Sequence, residues 1–121
     1  MTLRLASALA VGLLALSLDA AQANCQDEIS KLMSKDTERM LSQYNRVTRR
    51  IEREGANPSL RAEECRIAKQ LEPQLANQVA ALKQSRCRRD PSVSNMLADI
   101  VRGHEDDLAV LRKVTTQPDC R

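Results

Sequence analysis

Four cysteines, Cys25, Cys65, Cys87 and Cys120, are spread through a 121-residue chain that contains one aromatic residue, Tyr44. Without Phe or Trp, the core must be built from aliphatic side chains. A domain of this size is only marginally stabilised by burial, so cross-links weigh heavily. An even number of cysteines in a short chain reads as a disulfide framework, each bond contributing about 2 to 4 kcal/mol. The intervening gaps of 39, 21 and 32 residues exclude the close Cys-x-x-Cys pairs used by thiol-redox enzymes and by structural zinc sites.

Disulfides imply an oxidising compartment, and the N-terminal segment agrees. Residues 1–23, MTLRLASALAVGLLALSLDAAQA, have Arg4 near the start, an apolar run from Leu5 to Leu18 and a small-x-small ending at Ala21-Gln22-Ala23. This pattern predicts a secretory signal peptide. The run is short of the roughly 18 to 20 residues needed to span a bilayer. Asn24 directly before Cys25 departs from the small residue that lipidation at that cysteine would want. The expected mature protein is therefore a single domain over 24–121, not membrane-spanning, and periplasmic or secreted.

Apolar residues recur at helical spacing in three blocks, with no alternating run to suggest a strand. In the first, Ile29, Met33, Met40, Tyr44, Val47 and Ile51 form one stripe, widened by Leu32 and Leu41, which predicts a helix from about Asp27 to Glu54 closed by Gly55. The second opens on Asn57-Pro58, a cap followed by proline at the first helical position. Its stripe is Leu60, Ile67, Leu71, Leu75, Val79 and Leu82. Pro73 lies inside this block, and because the stripe keeps its phase the expectation is a kink rather than a turn.

The third block opens similarly, on Asp90-Pro91. Val93, Met96, Leu97, Ile100, Val101, Leu108, Leu111 and Val114 form its stripe, and Pro118 ends it. The fold class expected is all-α, a three-helix up-down-up bundle stapled by two disulfides.

The bundle sorts the cysteines by end. Cys65 and Cys87 stand 22 residues apart on the second helix, about 33 Å, whereas bridged Cα atoms lie within about 7 Å. That removes Cys65–Cys87 and with it Cys25–Cys120. Cys25–Cys65 with Cys87–Cys120 would join opposite ends, which leaves Cys25–Cys87 and Cys65–Cys120. The arginines around Cys87 (Arg86, Arg88, Arg89) then complement a helix C-terminus.

For function, composition excludes more than it selects. The chain has 19 basic and 16 acidic side chains, and with one aromatic residue and no docking motif it does not read as a nucleic-acid binder. No Gly-rich phosphate loop, nucleophile elbow or paired-carboxylate motif stands out, and neither metal nor cofactor is expected. His104, the only histidine, falls near the apolar face of the third helix beside Glu105, Asp106 and Asp107, and reads as a packed residue with one hydrogen bond. Gly103 beside it suggests a close helix approach or a bend.

Arg46, Arg49, Arg50 and Arg53 line one side of the first helix at three- and four-residue spacing, a candidate contact for an anionic envelope component or an acidic protein face. Glu52 and Glu54 are interleaved as pairing partners for Arg49 and Arg50, and Arg61 stands where it could extend the patch. The function expected is a small exported non-enzymatic helical protein, an envelope binding or stress-tolerance module. The rivals are an enzyme or thiol-redox carrier using Cys87 or His104, and a purely structural subunit of a larger assembly.

Overall fold

A computed structural model describes residues 24–121, so the expected signal peptide lies outside the described residues. The described chain is all-helical, with four helices and two disulfides. They are α1 (residues 24–32), α2 (Lys35–Glu54), α3 (Pro58–Gln84) and α4 (Ser94–Thr115). Short 3-10 turns at Arg86–Arg89 and Pro118–Cys120 follow α3 and α4.

The first block is thus two helices rather than one. At Ser34 the backbone is extended, with φ −66° and ψ 132°, and its carbonyl accepts from Glu38 N–H at 3.1 Å to start α2. The Ser34 N–H is taken by Gln78 Oε1 of α3 at 2.9 Å, a tertiary bond in place of an intrahelical one. Asp36 and Glu38 occupy the first turn of α2, where carboxylates favour the positive helix end. The apolar stripe keeps its phase across this joint, which is why periodicity alone runs the two helices together.

The joint also divides the core. Met40, Tyr44 and Val47 of α2 pack with Ile67, Ala68, Leu71, Leu75 and Val79 of α3 and with Leu108 and Leu111 of α4. A smaller cluster at the other end unites Ile29 of α1 with Leu82, Cys87, Val93 and Leu97. Each fully buried Leu, Ile or Val contributes about 1.5 to 3 kcal/mol, so the larger cluster supplies most of the burial energy. α3 is the shared element, its Leu71, Leu75 and Leu82 fully buried.

α3 runs through Pro73 without splitting. Pro73 and Lys69, whose carbonyl the ring displaces, are both exposed, so water can serve the freed acceptor. Asn57 caps α3 by accepting from Leu60 N–H at 2.9 Å, and Gly55 ends α2 at φ +81°.

Four further expectations about boundaries and packing are corrected. α3 stops at Gln84, because Ser85 Oγ accepts from Cys87 N–H at 3.2 Å and draws the chain into the 3-10 turn; Cys87 and its arginines lie on that turn rather than on the helix. Asp90 does not cap α4: its Oδ1 accepts from Ser92 N–H and Oγ at 3.0 and 2.7 Å, closing a turn, and α4 begins at Ser94. Met96, placed in the stripe by spacing, is 44% exposed. A Cβ at Gly103 would meet nothing within 4 Å, so no close helix approach explains that glycine.

Candidate functional site: an arginine face beside a stapled end

Four of the five arginines of α2 lie in its C-terminal half, where α2 passes the start of α3; the fifth, Arg39, is near its N-terminus and pairs with Asp36 at 3.2 Å. Arg46, Arg49, Arg50 and Arg53 are all exposed, and their opposite helix face is pinned by Met40, Tyr44 and Val47 in the main core. Two clefts open to solvent lie along them. One is a shallow hollow between the side chains of Arg46, Arg49, Arg50, Glu52 and Arg53, all on α2. The other, of about 400 Å³, lies between α2 and α3 and is lined by Gln43, Arg46, Val47, Arg50, Glu63 and Arg66.

Of Arg46, Arg49, Arg50 and Arg53, only Arg50 has an ion pair among the described residues, with Glu54 at 3.4 Å. Arg49 and Glu52 form no such pair. Arg61 turns to Glu64 at 3.0 Å, with the Glu64 side chain 7% exposed, so its charge is matched locally and does not extend the patch. Arg66 of α3 takes that place, across the cleft from Arg46 and Arg50. It escapes a reading of helix faces one at a time, since its relation to α2 depends on the packing of two helices.

Beneath this face, Tyr44 is buried and its phenol pKa is raised, first by burial and then by the Glu64 carboxylate, with Arg61 opposing. The phenol therefore stays neutral through the range where a free phenol would ionise, and it acts as a packing group.

The cysteines are brought together in two pairs. Cys25 joins Cys87 with Cα atoms 5.5 Å apart, and Cys65 joins Cys120 with Cα atoms 5.4 Å apart. No free thiol is present among the described residues. Glu28 Oε2 lies 3.1 Å from Cys87 Sγ and 3.4 Å from Arg86 Nε. Cys25, Glu28 and Cys87 have the spacing of a three-donor metal cluster, yet the two sulfurs are bonded to each other and offer no thiolate.

His104 is half-buried, its Nε2 3.2 Å from Gln78 Nε2. Asp107, one turn on, has its carboxyl pKa raised by burial, with the charge of His104 opposing. The remaining acid of this run with a mapped partner, Glu105, pairs with Lys83 of α3 at 2.6 Å. The structure brings no Ser or Cys nucleophile to His104 by any hydrogen bond among the described residues. No helix among them is long and apolar enough to cross a membrane.

Compared with protein-family models, curated proteins and solved structures, the chain matches none.

Proposed function

We propose that this protein is a small exported, non-enzymatic binding module whose arginine face meets an anionic partner in the cell envelope, either an envelope component or an acidic protein face. The observation that carries the reading is the imbalance on α2: four arginines along two open clefts, Arg66 facing them, and one ion pair among the four. Arginine presents a planar donor fork suited to phosphate and carboxylate. Crowded like charges on one helix are relieved when a partner supplies anions.

The non-enzymatic reading is supported by the state of the rival groups. Cys87 is consumed in a disulfide, and His104 is held by a glutamine rather than set beside a nucleophile. Two disulfides are compatible with an oxidising compartment, in keeping with the periplasmic or secreted location expected from residues 1–23. An up-down-up course for the three long helices is supported by the order of cross-links. Ser34 and Thr37 meet Gln78 and Gln74, while Lys83, Glu72 and Cys65 meet Glu105, Arg112 and Cys120.

The test is binding of the oxidised protein to phosphatidylglycerol vesicles and to polyglutamate at physiological salt. The unaltered protein is expected to bind at least one of these probes. Reversal of Arg46, Arg49, Arg50 and Arg53 to glutamate is expected to abolish that binding, and binding that survives it would refute the assignment of the face.

A further inference from the structure

A line of polar groups crosses the bundle at the end away from the arginine face. Gln78 is 6% exposed. Its Oε1 accepts from the Ser34 backbone N–H at 2.9 Å, and its Nε2 lies 3.2 Å from Nε2 of His104. The first contact dictates the second. With the amide oxygen held by Ser34, the group facing the imidazole is the amide nitrogen, which only donates. His104 Nε2 must then accept, which requires a neutral ring carrying its proton on Nδ1, the tautomer opposite to the one free histidine favours.

We infer that Ser34, Gln78 and His104 form a proton-sensitive latch: neutral His104 keeps the Gln78 oxygen on Ser34, and protonation turns the amide over and releases the Ser34 N–H. The imidazolium has an N–H on both nitrogens, so the existing geometry would set two donors against each other. Reversing the amide gives the charged ring an acceptor, and a charge-assisted bond is roughly twice as strong as a neutral one. The cost falls at Ser34, which is exposed, so water can serve the groups set free there. The released bond belongs to the joint between α1 and α2, and the latch thus carries a protonation event on α4 to the N-terminal helix.

The charged groups around the latch come from three helices. On α4, Asp107 lies one turn from His104, and Glu105 is engaged with Lys83 of α3. On α2, Asp36 lines the same surface hollow as Ser34 and Gln78. Asp107 is the competing acceptor: an imidazolium turned toward it would leave Gln78 and Ser34 as they are. The two outcomes differ at Ser34, whose N–H keeps its bond to Gln78 if the ring turns to Asp107 and loses it if the amide reverses.

Nitrogen-15 NMR of the oxidised protein tests the latch directly, since one histidine gives unambiguous ring signals. At pH 7.5 the ring is expected in the Nδ1–H form. On protonation, Ser34 amide protection, corrected for intrinsic exchange, is expected to fall about five- to tenfold, the equivalent of one hydrogen bond. His104→Gln is expected to remove this pH step. An Nε2–H ring at pH 7.5, or Ser34 protection that does not change as the ring titrates, would overturn the inference. Both are read from the unaltered protein, so the outcome does not depend on the variant folding.

Discussion

The two ends of this bundle are closed by similar disulfides and built on different foundations. At the Cys65–Cys120 end, the staple sits beside long stretches of α2, α3 and α4 that already share a large aliphatic core. At the Cys25–Cys87 end, the staple holds a nine-residue helix against a cluster of five buried residues, one of which is Cys87 itself. Sequence separations of 55 and 62 give nearly the same loop-closure entropy, about 4 kcal/mol for either bond in the chain-entropy account. Any difference between the ends must therefore come from packing. A rigid end suits a binding face, and the arginines are found there; the lightly packed end carries the joint and the polar latch.

The largest effect expected is from removing the staples one at a time. Cys25→Ala with Cys87→Ala should cost about 4 kcal/mol, and hydrogen exchange should show protection lost first through α1 and around Val93 and Leu97. Cys65→Ala with Cys120→Ala should cost a similar amount, while amides of α3 near Leu71 and Leu75 keep protection close to the global value and the turn at Pro118–Cys120 frays. Equal patterns of loss in the two variants would break the contrast between the ends.

Core truncation sharpens the same point. Leu75→Ala removes a fully buried side chain from the main cluster and should lower global stability by about 2 to 5 kcal/mol in denaturant titration. Ile29→Ala should be read chiefly as local opening of α1, with a smaller change in the global midpoint. A global loss as large as that of Leu75→Ala would show that the two clusters unfold as one.

Smaller still are the helix starts. Asn57→Ala deletes a formed cap at the arginine end and should cost about 1 kcal/mol. Asp90→Ala, at the other end, removes a turn and not a cap, so α4 should keep its first helical residue. The Asp90 pKa is lowered, first by the Ser92 hydroxyl and then by the Ser92 N–H. Its folded value lies below its unfolded one, so its contribution is present above the unfolded pKa and disappears as pH falls through the folded value. The Asp90→Ala protein should therefore differ from the parent at neutral pH and converge with it in acid, a difference that thermal melts across pH 2 to 7 would detect.

The two openings Asn57-Pro58 and Asp90-Pro91 show how far the sequence was legible. Both present a capping residue before Pro-Ser, yet Asn57 accepts from Leu60 N–H and caps, whereas Asp90 accepts from Ser92 and closes a turn. The shared Pro-Ser shows that the local residues alone do not decide between the two. Helical content and the α3 stripe follow from periodicity, and the rise per residue excludes bridging Cys65 to Cys87. The break at Ser34 was hidden because its cause is Gln78, 44 residues away. For the candidate face, the spacing on α2 marks Arg46, Arg49, Arg50 and Arg53. Arg66 and the inward turn of Arg61 depend on how α2 and α3 pack, and helix periodicity alone does not fix that.

The central claim is that an arginine face on the rigid end is the contact surface, and position must be separated from net charge to test it. The measurement is binding of three oxidised proteins to the same phosphatidylglycerol vesicles and polyglutamate at physiological salt. They are the parent, the variant with Arg46, Arg49, Arg50 and Arg53 reversed to glutamate, and a charge-matched control with Arg86, Arg88, Arg89 and Arg102 reversed. The account predicts binding by the parent and the control and loss of binding in the α2 variant, with its melting temperature near that of the parent. Equal loss in both variants, or binding retained by the α2 variant, would contradict it.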